Sequence, residues 1–120
     1  MKYSIEYEPL FGALQAIDVN DVAGAVTEAW WNRTLVEVDG ALVRLGVMLG
    51  EYHWHRHDRE DEFFLVLDGG LTIELEDRAA VELRAGQAFV VPAGLQHRPV
   101  ASERATVLMI ERSGVVVTGD

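Results

Sequence analysis

The chain has 120 residues, enough for one domain with a single core and too short for a second. Ten basic against twenty acidic side chains leave a formal charge of −10, which opposes nucleic acid and anionic membrane surfaces, so neither is expected as a partner. There is no cysteine, which removes disulfides and thiolate metal ligands together. Met1–Glu6 carries no long apolar run, and no stretch approaches the roughly 18 apolar residues that cross a bilayer; a cytoplasmic location is the expectation.

In chain order, Leu10, Phe11, Leu14 and Ile17 recur at helix-like spacing, but Pro9 and Gly12 interrupt them. The first seventeen residues therefore read either as a turn of helix or as an irregular arm. From Asp18 or Asn20 as N-cap, Val22, Val26 and Ala29 share one face, predicting a short helix that ends near Trp30–Trp31. The two tryptophans suit a core, a stacking platform or an interface. Since each ring buries some 150–250 Å², interface is the reading taken.

After Asn32 the period shortens to two. Thr34–Val38 and Ala41–Leu45 flank Asp39–Gly40, a loop that favours a type I′ hairpin. Further strands are predicted over 46–49, 52–57, 62–67, 71–76, 79–84, 87–91, 97–100, 105–111 and 114–117. Many short strands divided by glycine-rich turns indicate an antiparallel sandwich or barrel. Residues 1–33 thus read as an N-terminal arm and short helix packed on a barrel formed by residues 34–120. Phe63–Leu67 is apolar on both faces, so its outer face should be covered. A second copy of the chain is the expected cover, giving a homodimer. Phe64, Val66, Leu45 and Val47 are expected to line the interior.

Chemistry concentrates in His55–Gly69. On a strand, residues two apart point the same way, which sets His55 and His57 side by side. Glu62 follows after a short turn, and His97 stands far along the chain behind Gly86 and Pro92-Ala93-Gly94. Imidazoles with a carboxylate suit Fe, Mn, Zn, Ni, Co or Cu better than Ca or Mg, which prefer all-oxygen sites.

These residues carry a resemblance. His-x-His, four residues, Glu, six residues, Gly is the first motif of the cupin superfamily, and His55, His57, Glu62 and Gly69 fit it at every spacing. The second motif is matched by Gly86, five residues, Pro92-Ala93-Gly94, two residues and His97. The segment from Val36 onward resembles a small single-domain, phosphomannose-isomerase-like cupin of the type-2 conserved-barrel kind. Two departures stand out: the leading glycine of motif one is Gly50, a residue late, and Ala101 replaces the asparagine that often closes motif two. The resemblance implies an all-β fold, a double-stranded β-helix (jelly-roll) cupin barrel, here preceded by a short N-terminal helix. It also implies a divalent transition metal held by His55, His57, Glu62 and His97.

Glu60 competes with Glu62 through the alternative set His53, His55, Glu60, but six residues beyond Glu60 stands Leu67 where the motif requires glycine. His53 shares a face with the other two histidines and reads as a hydrogen-bonded residue at the pocket rim rather than as a proton shuttle. Two functions fit. One is a metal-dependent enzyme acting on a small oxygenated metabolite, of dioxygenase, isomerase or decarboxylase type; the other is a non-catalytic module that captures a small molecule or sugar. Arg44, Arg56, Arg98 and Arg104 are scattered, which argues against a sugar-phosphate site.

Overall fold

A computed structural model describes residues 2–120. Strand β1 (Ser4–Glu6) is followed by helix α1 (Val19–Gly24), then β2 (Trp30–Val38), β3 (Ala41–Glu51), β4 (Glu62–Asp68), β5 (Gly70–Leu75), β6 (Arg78–Arg84), β7 (Ala88–Val91) and β8 (His97–Arg112). The eight strands form one hydrogen-bonded sheet in the order β1-β2-β3-β8-β4-β7, from which β5 branches by pairing with both β6 and β8. The 16 residues of β8 join the two parts. Its first part pairs with β5 (Thr72 opposite Val100, Leu75 opposite His97). Its last part lies between β3 and β4 (Val43 and Phe63 both opposite Ile110). This is the expected jelly-roll barrel with a short N-terminal helix.

Alternation along these strands fills the barrel. Phe64, Val66, Ile73, Val107 and Met109 are all at most 1% exposed and belong to one core cluster with Trp30 and Tyr52. The Asp39–Gly40 hairpin forms as expected, with φ of +48° and +79° at the two positions, the signature of a type I′ turn. Among the described residues no helix is long and apolar enough to cross a membrane.

Several expectations are corrected. The helix stops at Gly24, and its N-cap is Asp18, whose side chain accepts from the Asp21 N–H. Trp30 opens β2 and is 4% exposed inside the core, so it is not an interface residue. Segments 97–100 and 105–111 are one strand, whereas 114–117 is a turn-rich tail. Residues 52–57 are irregular apart from one bridge at His55. Leu45 and Val47 are buried, but on the face opposite Met48 and therefore outside the barrel.

What covers that outer face is partly the chain itself. Beyond β1, the N–H groups of Leu10 and Phe11 donate to the carbonyls of Thr34 and Leu35. Further on, the Arg104 guanidinium donates to the carbonyls of Val26 and Glu28, and α1 borders a surface hollow with Leu67 and Thr106. On the same outer face Leu45 and Val47 are at most 1% exposed, whereas Val90 is 49% and Ile110 38% exposed, with Phe63 and Leu65 half-buried beside them.

Candidate metal centre

Three connections bring the site together. His55 and His97 form a two-way backbone pair, each N–H donating to the other's carbonyl at 3.0 and 2.8 Å. The Pro92-Ala93-Gly94 turn is tied to the first histidine loop, since Gly94 N–H donates to the His57 carbonyl at 2.8 Å and Ala93 N–H donates to Asp61 at 2.9 Å. Glu62 then enters at the start of β4, on the same face as Phe64 and Val66.

The result is a buried group of His55, His57, Glu62 and His97, which offers one ligand atom per residue with all four within 4.8 Å of one another. The four sequence-predicted residues therefore converge, although His55 and His57 do so from a loop and not from a regular strand. Glu60 is not part of the group, and neither is His53. Tyr3 O–H donates to His53 Nδ1 at 3.1 Å and His53 Nε2–H donates to the Thr118 carbonyl at 2.6 Å, while the ring stacks on Tyr52.

Tautomers make the fit to a cation specific. His55 Nδ1–H donates to the His53 carbonyl at 3.0 Å and His97 Nδ1–H to the Leu95 carbonyl at 2.9 Å. In the neutral rings both Nε2 atoms are then lone-pair acceptors. His97 Nε2 stands 3.2 Å and His57 Nε2 3.4 Å from the same Glu62 oxygen, Oε1. At His97 this sets an acceptor against an acceptor, which a proton or a metal ion between them would reconcile, whereas His57, whose Nδ1 has no partner, can meet Glu62 either as an Nε2–H donor or as a lone pair. Three imidazoles and a carboxylate fit a divalent transition metal, and backbone carbonyls hold two of the rings in the tautomer that presents Nε2.

The charge environment prepares the same atoms. Burial, with help from neighbouring His97, pushes His55 down to about 4, which keeps it neutral. Burial also acts to lower His57, but the facing Glu62 carboxylate outweighs it and raises the ring above its ordinary value. For Glu62 burial acts upward, yet Glu111, His57 and His97 hold it well below the usual carboxylate range. It is an anion ready for a cation.

Sequence reasoning missed what lies behind Glu62. Glu111, 3% exposed, sits next to it across the β4–β8 ladder, and burial together with the Glu62 charge pushes this second carboxyl well above its ordinary value. Arg44, fully buried, lies 3.9 Å from Glu111. Its Nε donates to Asn32 Oδ1 at 2.7 Å, its Nη1 to Thr34 Oγ1 at 2.5 Å, and its guanidinium covers the Tyr7 ring at 5.0 Å. The signal was parity: Arg44 shares a face with Gly46 and Met48, and Glu111 with Val107 and Met109.

Comparison with known proteins agrees with this geometry. Residues 37–111 match the model of the cupin domain family. The chain is 38% identical over 90 residues to the uncharacterized protein YdbB of Bacillus subtilis (strain 168), covering 75% of this chain and 80% of that one. A cupin-2 domain containing protein from Shewanella frigidimarina superposes with a TM-score of 0.76 at 33% identity, over 80% of this chain and 93% of that one. At 22% identity, where the likeness speaks for the fold alone, hydroquinone 1,2-dioxygenase from Sphingomonas sp. TTNP3 with 4-hydroxybenzoate bound gives 0.77 over 85% of this chain and 33% of that one. With both motifs folded around one buried ligand group and the family model spanning most of the barrel, the chain belongs to the cupin domain family.

Proposed function

We propose that this cupin is a metal-dependent enzyme acting on a small oxygenated molecule, its metal held by His55, His57, Glu62 and His97. The observation that carries the reading is the convergence of four buried ligand atoms, one each from His55, His57, Glu62 and His97, within 4.8 Å of one another, with two of the rings held so that Nε2 presents its lone pair. A bound divalent ion would supply Lewis acidity, or redox chemistry if it is iron, manganese or copper. The protein's own part is to fix the ring tautomers through the carbonyls of His53 and Leu95, and to hold Glu62 ionised. The four ligands come from the barrel wall, leaving coordination positions on the interior side for a substrate.

The test is elemental analysis of protein purified without an affinity tag, followed by single substitutions. About one equivalent of a transition metal per chain is expected, lost in His55→Ala and His97→Ala and retained in Glu60→Gln. Equal loss in Glu60→Gln, or full retention in Glu62→Gln, would overturn the assignment.

Homodimerisation belongs to the same reading. It is supported by the half-exposed outer residues Phe63, Leu65, Val90 and Ile110, which the N-terminal segment leaves uncovered.

A further inference from the structure

Beside the metal group lies a small interior cavity, lined among others by Trp30, Asn32, Tyr52, His55 and Glu62. Its volume is about 20 Å³, counted as positions open to the centre of a water molecule, where one water needs roughly 10–15 Å³. The apolar part of its wall comes from Met48, Phe64, Met109 and Val117. Two of these residues carry a polar atom that is buried without any hydrogen-bond partner, the indole Nε1 of Trp30 and the hydroxyl of Tyr52. Trp30 is 4% and Tyr52 8% exposed. An indole N–H can only donate, and a buried donor without an acceptor is unfavourable. These two donors therefore lack an acceptor, although residues that could hold a metal stand beside them.

We propose that this cavity receives an oxyanion of about three heavy atoms, its oxygens bound by the metal on one side and by the Trp30 N–H and Tyr52 O–H on the other. This rests on the metal reading above and adds to it a ligand class and two recognition residues. Formate is the smallest stable probe of that class. The size limit follows from the wall: Phe64 is 1% and Met109 1% exposed within a packed core, so neither yields room without rearrangement. Burial raises the Tyr52 hydroxyl far above its ordinary value, so it stays a donor at every working pH.

The experiment uses the full chain loaded with Co²⁺. Formate and benzoate are titrated while the visible spectrum is recorded, and Co²⁺ affinity is measured separately by calorimetry. Formate is expected to perturb the spectrum and benzoate not to do so at equal concentration. Tyr52→Phe and Trp30→Phe are each expected to weaken formate by about tenfold or more, the loss of one charge-assisted hydrogen bond, with Co²⁺ affinity within about twofold of the parent. Tyr52→Phe keeps the ring that packs against Tyr3 and Trp30, so it decides the matter if Trp30→Phe does not fold. Failure to bind Co²⁺ sinks the metal reading itself. Co²⁺ binding with unchanged formate affinity in Tyr52→Phe, or with benzoate as effective as formate, overturns this inference alone.

Discussion

Arg44 offers the sharpest test of how the site is built. It is fully buried, and four groups face its guanidinium: Asn32 at 2.7 Å, Thr34 at 2.5 Å, Glu111 at 3.9 Å and the Tyr7 ring at 5.0 Å. Arg44→Met keeps most of the volume but leaves Asn32 Oδ1 and Thr34 Oγ1 without their donor, and the ionised Glu62 without a nearby cation. One-sided removal from a buried charged network costs about 3–5 kcal/mol, which for a domain of this size lowers Tm by roughly 10–20 °C. Glu111→Gln is the control. Because burial and the Glu62 charge keep Glu111 protonated, a neutral amide of the same shape should cost less than about 1 kcal/mol. Both variants are melted by circular dichroism as metal-free protein at pH 7. A loss under about 1 kcal/mol for Arg44→Met, or equal losses for the two variants, would refute the assignment of charge.

Metal affinity should weaken as pH falls, and the controlling ring is His57. A proton competes with the ion for the same lone pair; His55 accepts one only near 4, whereas His57 is raised above its ordinary value and is protonated first. Calorimetry with Zn²⁺ from pH 8 downward should show the decline beginning above about 6.5, and a decline confined to the region of pH 4 would contradict it. Gly119→Ala should lower both Tm and metal affinity: Gly119 has φ of +100°, and an added Cβ would sit 2.6 Å from His55 Cβ. A cost of about 1–3 kcal/mol is expected, and an unchanged melt and Zn²⁺ titration would show that the tail yields freely. Light scattering at tens of micromolar should give twice the chain mass, and Ile110→Lys on the outer face should return it to one; a monomeric parent sinks the dimer.

The parts of the fold set by local rules were legible in the sequence. Asp39–Gly40 specified its hairpin because two adjacent positive φ angles suit that pair, and the four site residues were legible because their spacing repeats a family pattern. Long-range decisions were not. Nothing local says that Ser4–Glu6 will pair parallel with Trp31–Arg33, or that Trp30 will turn inward to stack near Tyr52. His55 and His57 were expected on a strand because alternation alone cannot tell a regular strand from a loop pinned at one bridge. The Arg44–Glu111 pair was not legible either, since a lone charge in an apolar strand has meaning only with its partner across the sheet.

The length of β8 has a mechanical consequence. Drawn straight at about 3.3 Å per residue, the fourteen steps from His97 to Glu111 would span roughly 46 Å, longer than the 43 Å greatest extent of the whole molecule. Both ends nevertheless arrive at Glu62. The strand is a hoop, bent where its pairing register slips near Ala101–Ala105, and Glu62, between the His97 ring and Glu111, is the clasp. Both ends of one strand meet at that residue, so on the proposed metal reading removal of the ion should be felt as faster amide exchange at the far bend as well as at the histidines.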